Sequence, residues 1–244
     1  MDLKRHCLDL ARRAARSGEP CFTRFLEPSQ EDLARQAARE GFCRVEFYGG
    51  WEEAERRMAA FCPDETSPER FPITALQLRW NPRFAAVGHR DLLGAVMALG
   101  IERDTFGDIC LSTEAGCAYL FSGDDMAGYF IANLTQAGRA SLRVSPAKEI
   151  SVAPPEGDML RLTVQQLRLD AVLAAGCRLS RAEAQRLIRS GLVKLNHAEE
   201  LRVDAHLSEG DLISCKGYGR LRLVEIQGET RRGRLAVTAF RTGK

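Results

Sequence analysis

The stretch from Arg168 to Asn196 constrains this chain most, because spacing, caps and charge there agree on one arrangement. Leu169, Val172 and Leu173 stand at i, i+3 and i+4, the stripe of a short helix, and Gly176 supplies the permissive conformation at which helices stop. Ser180 and Glu183 have the spacing of a capping box that opens a second helix, and Gly191 closes it. On that second helix Ala184, Leu187 and Ile188 share an apolar face, while Arg181, Gln185 and Arg189 line a neighbouring one at i, i+4 and i+8. Val193 and Leu195 then alternate with Lys194 and Asn196, the pattern of a half-buried strand. The reading is helix, turn, helix and strand, with a cationic ridge on the helix and Lys194 pointing away from the core.

The charge of the whole chain, +2, hides a partition. From Arg161 onward there are 16 Lys and Arg against 9 Asp and Glu, a surplus of +7, which leaves −5 for the first 160 residues. The basic charge belongs to the C-terminal module. Eight cysteines at 7, 21, 43, 62, 110, 117, 177 and 215 include no paired Cys-x-x-Cys, which argues against a zinc or disulfide framework and for a reduced, cytoplasmic protein. No secretory leader and no run approaching about 18 apolar residues is visible, so no membrane span is expected.

These C-terminal residues resemble the S-four RNA-binding domain. The resemblance runs from about Leu162 to Ile226 and rests on Arg168-Leu169-Asp170, Ser180-Arg181, the run Gly191 to Asn196, and the turn Glu209-Gly210-Asp211. It implies that the helix ridge and adjacent strand grip structured RNA, with guanidinium groups suited to phosphates. The residues expected at RNA are Arg168, Arg178, Ser180, Arg181, Gln185, Arg186, Arg189, Lys194, Asn196 and Lys216. The competing interpretation is an ordinary solvated helix rich in arginine. Arg231, Arg232 and Arg234, in a hairpin expected around Gly228 to Gly233, either extend the footprint or solubilise a turn.

The first 160 residues read as two further parts. A helix over residues 3–15 stops at Gly18-Glu19-Pro20, Ser29 caps a helix over 30–40, and residues 43–48 alternate as a strand. Gly49-Gly50 then turns into an expected helix carrying Trp51, Ala54, Met58 and Phe61, and the proline-rich stretch from Cys62 to Pro72 reads as a linker. Residues 73–80 form a strand covered on both faces, and a helix runs from Arg90 or Asp91 to Gly100. Strands at 109–112 and 118–121, a helix at 124–137 and a strand at 142–145 complete the order of a split βαβ sandwich. The fold class is α+β, with a small N-terminal α/β unit at 1–70, an RNA-recognition-like domain at 71–150 and an S-four domain at 158–244.

Phe47-Tyr48-Gly49-Gly50, Glu53 to Arg57, Gly88 to Ala95 and Gly107-Asp108-Ile109, together with the C-terminal module, resemble the YlmH family of bacterial S-four proteins over nearly the whole chain. That resemblance implies a central RNA-recognition-like domain, binding of rRNA or tRNA, and association with the ribosome, in particular the large subunit during rescue of stalled ribosomes. It also brings in a cell-division protein partner. Paired aromatic stacking strands, the usual equipment of an RNA-recognition motif, are not evident. A second RNA patch is expected at Arg79, His89, Arg90 and Arg103, against the alternative that Asp91 caps a helix and its neighbours make local ion pairs. No catalytic residue, metal site or cofactor is assigned. The alternatives are an RNA-modifying enzyme, such as a pseudouridine synthase or methyltransferase, and a cell-division adaptor. His89-Arg90-Asp91 only superficially echoes the synthase motif, and Gly49-Gly50 is too short a loop to cradle a cofactor.

Overall fold

The computed structural model describes residues 2–63, 67–154, 157–229 and 233–243. The chain is of α+β type and divides into two compact units, Met1–Pro154 and Pro155–Lys244.

The first unit opens with α1 (Leu3–Ser17), capped by the Asp2 carboxylate on the Lys4 amide and closed by Gly18 at φ 72°. Cys7, Ala11 and Ala14 form its buried face and meet Ala34, Ala37 and Ala38 of α2 (Glu31–Glu40), small side chains that let the two helices pack closely. They cover a sheet of β1 (Cys21–Leu26), β2 (Arg44–Tyr48) and β3 (Arg57–Cys62), in the order β1-β3-β2. Three sequence expectations change here. Strand β1 had no assignment. Helix α2 is preceded by a 3-10 turn at Pro28–Gln30, in which the Gln30 side chain accepts from the Glu27 amide at 2.8 Å, and Ser29 is not its cap. The helix expected to carry Trp51, Ala54, Met58 and Phe61 is a loop followed by β3, whose residues 58–62 are all buried because it is the central strand. Periodicity over so short an apolar run does not separate a buried strand from a helix.

The second sheet of this unit contains β4 (Ile73–Arg79), β5 (Phe106–Leu111), β6 (Cys117–Gly123) and β9 (Arg143–Pro146), in the order β5-β6-β4-β9 and antiparallel throughout. With α3 (His89–Met97) after β4 and α4 (Asp124–Asn133) after β6, this is the split βαβ sandwich expected from the element order. Helix α4 ends earlier than anticipated, and a small hairpin of β7 (Gln136–Ala137) and β8 (Ala140–Ser141) precedes β9. One sheet face packs Leu76, Leu78 and Leu120 with Leu92, Val96 and Phe130 of the helices. The opposite face places Tyr119 and Phe121, at i and i+2 on β6, under Phe25, Met58, Trp51 and Phe71. The sheet does carry an aromatic pair, therefore, but Phe121 is fully buried and stacks on Trp51 with centroids 6.4 Å apart.

The second unit is built on a six-stranded sheet of β10 (Gly157–Val164), β11 (Val193–Leu195), β12 (Ala198–Glu199), β13 (Leu212–Cys215), β14 (Gly219–Glu229) and β15 (Leu235–Thr242). Its order is β10-β15-β14-β13-β11-β12. The α5 (Leu169–Cys177) and α6 (Arg181–Arg189) helices pack Leu169, Leu173, Leu187 and Ile188 against Leu221 and Leu223. Asn196 and His197 turn β11 into β12 with φ of 49° and 69°, the paired positive values of a type I′ hairpin. The tail is the expected hairpin; Pro155, Arg231 and Arg232 lie outside the described residues.

Gly176 departs from its expected role. Helix α5 runs past it to Cys177, and the left-handed stop is Arg178 at φ 55°, whose amide donates to Ala174 O. Gly176 is glycine for space, since a Cβ there would lie 2.4 Å from Leu221 Cδ1 and 2.9 Å from Cδ2. A Gly176→Ala variant tests this. Alanine inside a solvent-facing helix gains about 1 kcal/mol, but overpacking a core removes about 1–3 kcal/mol. With buried Leu221 unable to retreat, a net loss of about 1 kcal/mol is expected in urea unfolding followed by circular dichroism. A gain in stability would restore the helix-stop role.

Candidate nucleic-acid interface

The site is assembled around Asp170, which follows Leu169 in the first turn of α5 and is completely buried. A carboxylate there must be paired. Arg168 donates Nε to Asp170 Oδ1 at 3.2 Å, Arg181 donates Nε to Oδ2 at 3.0 Å, and Gln185 donates Nε2 to Oδ2 at 2.7 Å. Arg181 also reaches Oδ1 with Nη2 at 3.3 Å, giving a forked pair. Burial alone would raise the Asp170 carboxyl; the hydrogen bonds from Arg181, Gln185 and Arg168 outweigh it and hold the group below the ordinary carboxylate range.

Backbone bonds fix the carboxylate in turn. The amides of Leu169 and Asp170 donate to Ala205 O and Val203 O, and Arg168 bridges to His206. The α5 N-terminus is thereby stitched to the segment that leads into β13. Arg181, in the first turn of α6, keeps about half of its side chain in solvent although its Nε is engaged. The result is a guanidinium held at one angle with an outward edge.

The remaining expected residues fall into two groups. Arg178, Arg189, Lys194 and Lys216 are exposed and have no carboxylate partner among the described residues. Arg189 is the last residue of α6, Lys194 is the outward member of β11, and Lys216 follows β13, the strand beside β11. The others are occupied within the fold. Ser180 Oγ caps the Glu183 amide at 3.1 Å, while the Glu183 carboxylate pairs with Arg186 Nη2. Asn196 donates Nδ2 to Asp211 Oδ1 at 2.7 Å and accepts the Leu212 amide on Oδ1 at 2.9 Å, which fastens the Ser208–Asp211 turn to β11. Sequence reasoning passed over Asp170 as a site residue. Its signal was legible, an acid inside an otherwise apolar helix two residues after Arg168.

Of the second expected patch, Arg79 and Arg103 are bonded within the fold, while His89 and Arg90 are exposed at the start of α3. Arg79 forms a forked pair with Glu114 at 3.0 and 2.6 Å. Asp91 Oδ2 accepts the Gly88 amide at 2.9 Å, the helix-start role given as its alternative, and Arg90 is exposed. Arg103 turns inward: Nη1 donates to Phe106 O and Gly107 O at 2.8 and 3.1 Å, and the guanidinium lies 4.1 Å from the Phe106 ring. Burial, with repulsion from Arg56, lowers its pKa to about 10. Among the described residues no group of His, Cys, Asp and Glu is arranged to hold a metal ion, and no helix is long and apolar enough to cross a membrane. Burial pushes the thiols of Cys62 and Cys215 up to about 11 and that of Cys110 up to about 12.

Two family models match the chain. Residues 66–150 match the family model described as "Putative RNA-binding domain in YlmH", and residues 167–213 match the "S4 domain" model. The "Ribosome-associated protein quality control protein P2" of Bacillus subtilis (strain 168) is 36% identical over 221 residues, covering 89% of this chain and 85% of that protein. Among solved structures, "Cell division protein ylmH from Streptococcus pneumoniae" is 26% identical, with a TM-score of 0.49, and is matched over 59% of this chain and 88% of that chain. A C-terminal S4 (S-four) domain behind a second domain of RNA-binding type is the class these findings define. The chain belongs to the YlmH family.

Replacing Asp170 by Asn isolates the buried charge. Three donors lose a charged acceptor, and a loss of about 2–3 kcal/mol is expected, kept below that of a fully buried pair by the solvent around Arg181. The pH dependence has a definite sign. Because the folded carboxyl titrates lower than the unfolded one, its contribution is complete above the ordinary carboxylate range and disappears as pH falls through the folded value. Urea midpoints measured from pH 7 to pH 3 should fall less steeply in Asp170→Asn than in the parent; parallel curves would remove Asp170 from this role.

Proposed function

We propose that the protein is a non-enzymatic RNA-binding protein that grips structured rRNA or tRNA on the ribosome through its C-terminal unit. The observation that carries this reading is the ridge of unpaired cations beside two arginines fixed by a buried carboxylate. Fixed guanidinium groups suit phosphate oxygens, and the free cations add the sequence-independent attraction of a polyanion. Arg168 and Arg181 set the register, while Arg178, Arg189, Lys194 and Lys216 supply the charge. Ser180, Gln185, Arg186 and Asn196 shape the ridge and lend their remaining polar atoms to it.

The relative's name places that protein in ribosome-associated quality control. The same work is proposed for this chain, at the large subunit of stalled ribosomes in the cytoplasm. We also propose that it operates as the three parts 1–70, 71–150 and 158–244, the first two sharing a core.

The test is crosslinking of the protein to RNA in its own cells, followed by sequencing of the attached fragments. Arg181 is an unsafe control by itself, since reversing its charge also breaks the Asp170 cluster. Arg189→Glu combined with Lys194→Glu leaves that cluster intact. This variant should bind stem-loop RNA more weakly by roughly tenfold or more, with a flatter salt dependence. Reads concentrated on rRNA and tRNA in the parent, and lost in the variant, are the expected result. Diffuse reads that the variant does not change would overturn the reading. Protein partners that survive nuclease would then favour an adaptor in cell division, and a modified base after incubation would favour an enzyme.

A further inference from the structure

The central domain raises a separate question of where RNA would touch it. In an RNA-recognition fold, bases stack on aromatic side chains of the open sheet face. Here that face is closed: Tyr119 and Phe121 lie beneath Phe25, Met58 and Trp51, with Phe121 completely buried. Any contact with nucleotides has to be made elsewhere on this unit.

One end of the sheet offers the means. Strand β4 finishes at Arg79, opposite Arg143 at the start of β9, and the loop of residues 80–88 leads from there into α3. At its tip Phe84 is 87% exposed, an aromatic ring in water with its neighbours Ala85 and Ala86 keeping the approach open. Facing it is the turn of the β7–β8 hairpin, with Ala137, Gly138 and Arg139. Loop, hairpin turn and the start of α3 line a shallow, half-open cleft of about 380 Å³.

Charge decides what kind of ligand belongs there. Arg83, Arg90, Arg139 and Arg143 are exposed and have no carboxylate partner among the described residues. The acid at the cleft, Asp91, is engaged by the Gly88 amide, and Glu114 is taken by Arg79. Arg139 lines the cleft with Phe84, Arg83 is its neighbour in the chain, and Arg90 and Arg143 stand at the start of α3 and of β9, so the arginines outnumber the one cleft carboxylate, Asp91. An exposed aromatic ring with guanidinium groups on the adjoining elements is a combination that holds unpaired nucleotides, the ring stacking a base and the cations tracking its phosphates.

We infer that the Phe84 loop and the β7–β8 turn form a binding site for single-stranded RNA, with one base stacked on Phe84 and the flanking phosphates held by Arg83, Arg90, Arg139 and Arg143. The inference rests on the reading of the chain as an RNA-binding protein. It adds a second kind of RNA, unpaired where the C-terminal ridge takes structured RNA, and it moves recognition in the central domain from the sheet face to the sheet end.

The full chain is titrated with two fluorescent probes, a labelled decauridine and a labelled RNA stem-loop. Exposed Phe84 is replaced by Ala and, separately, by Trp. Phe84→Ala should weaken decauridine binding by roughly tenfold, the size expected for one lost stack, while Phe84→Trp retains it and stem-loop binding is unchanged. The Arg189→Glu/Lys194→Glu variant should weaken stem-loop binding by the larger factor and decauridine binding by the smaller. Equal decauridine binding by Phe84→Ala and the parent overturns the inference, even where the ridge variant loses the stem-loop as expected. A nuclease-resistant protein partner lost in Phe84→Ala, with decauridine binding unaltered, overturns it equally and makes the loop a protein contact. Stem-loop binding that the ridge variant leaves intact counts against the earlier reading alone.

Discussion

The ion cluster at Asp170 is what the C-terminal unit depends on. A carboxylate with no exposed surface is destabilising unless every oxygen is met, and here residues from α6 and the turn before α5 meet it. The same bonds that satisfy the acid dictate how α6 lies on α5. They also remove most of the rotamer freedom of Arg168 and Arg181 in the free protein, so little of it is left to lose when a ligand arrives. A ridge of unanchored arginines would have the same net charge and would have to be ordered on binding. The cluster therefore links folding to recognition through one buried charge.

The first unit applies similar chemistry to a different end. Asp108, in β5, accepts the amides of Glu55 and Arg56 at 2.7 and 3.2 Å and Trp51 Nε1 at 3.3 Å. Burial raises its pKa, and these three donors work against that rise. Its oxygens tie the loop before β3 to the second sheet, and Phe25, Met58 and Trp51 are thereby held over Phe121. The N-terminal sheet stands where a base would stack in an open RNA-recognition fold. Covering that face stabilises a small domain by burying aromatic surface, and it withdraws the face from recognition.

Much of this was legible in the sequence where local rules govern. The caps at Ser180 and Asp91, the Gly18 stop, the alternation in β11 and the βαββαβ order of the central domain all follow from interactions within a few residues. The failures lie where distant packing decides. Residues 58–62 became a strand because they sit between two others, and Gly176 is glycine because Leu221, 45 positions on, leaves no room for a Cβ. The site was legible in the same uneven way. Arg189 and Lys194 have no carboxylate partner among the described residues, as their outward positions imply, whereas Asn196 and Arg103 have the composition of RNA ligands but are bonded within the fold. Whether a polar side chain is available depends on its partners, and partners are remote in sequence.

The same point revises what net charge can say. The first 160 residues sum to −5, which on its face describes a domain that repels nucleic acid. Many of its acids are already neutralised within the unit: Glu31 by Arg35 and Arg57, Glu102 and Asp104 by Arg24, Asp124 by Arg70, and Glu114 by Arg79. What remains uncompensated is local. Helix α1 carries five Lys and Arg against one Asp, of which Lys4 pairs with Glu40, and at the end of the central sheet Arg83, Arg90, Arg139 and Arg143 have no carboxylate partner among the described residues. At physiological ionic strength the field of a charge fades over about 8 Å, so a polyanion feels the unpaired cations nearest to it far more than the sum over the domain. An acidic half can therefore present local basic surfaces.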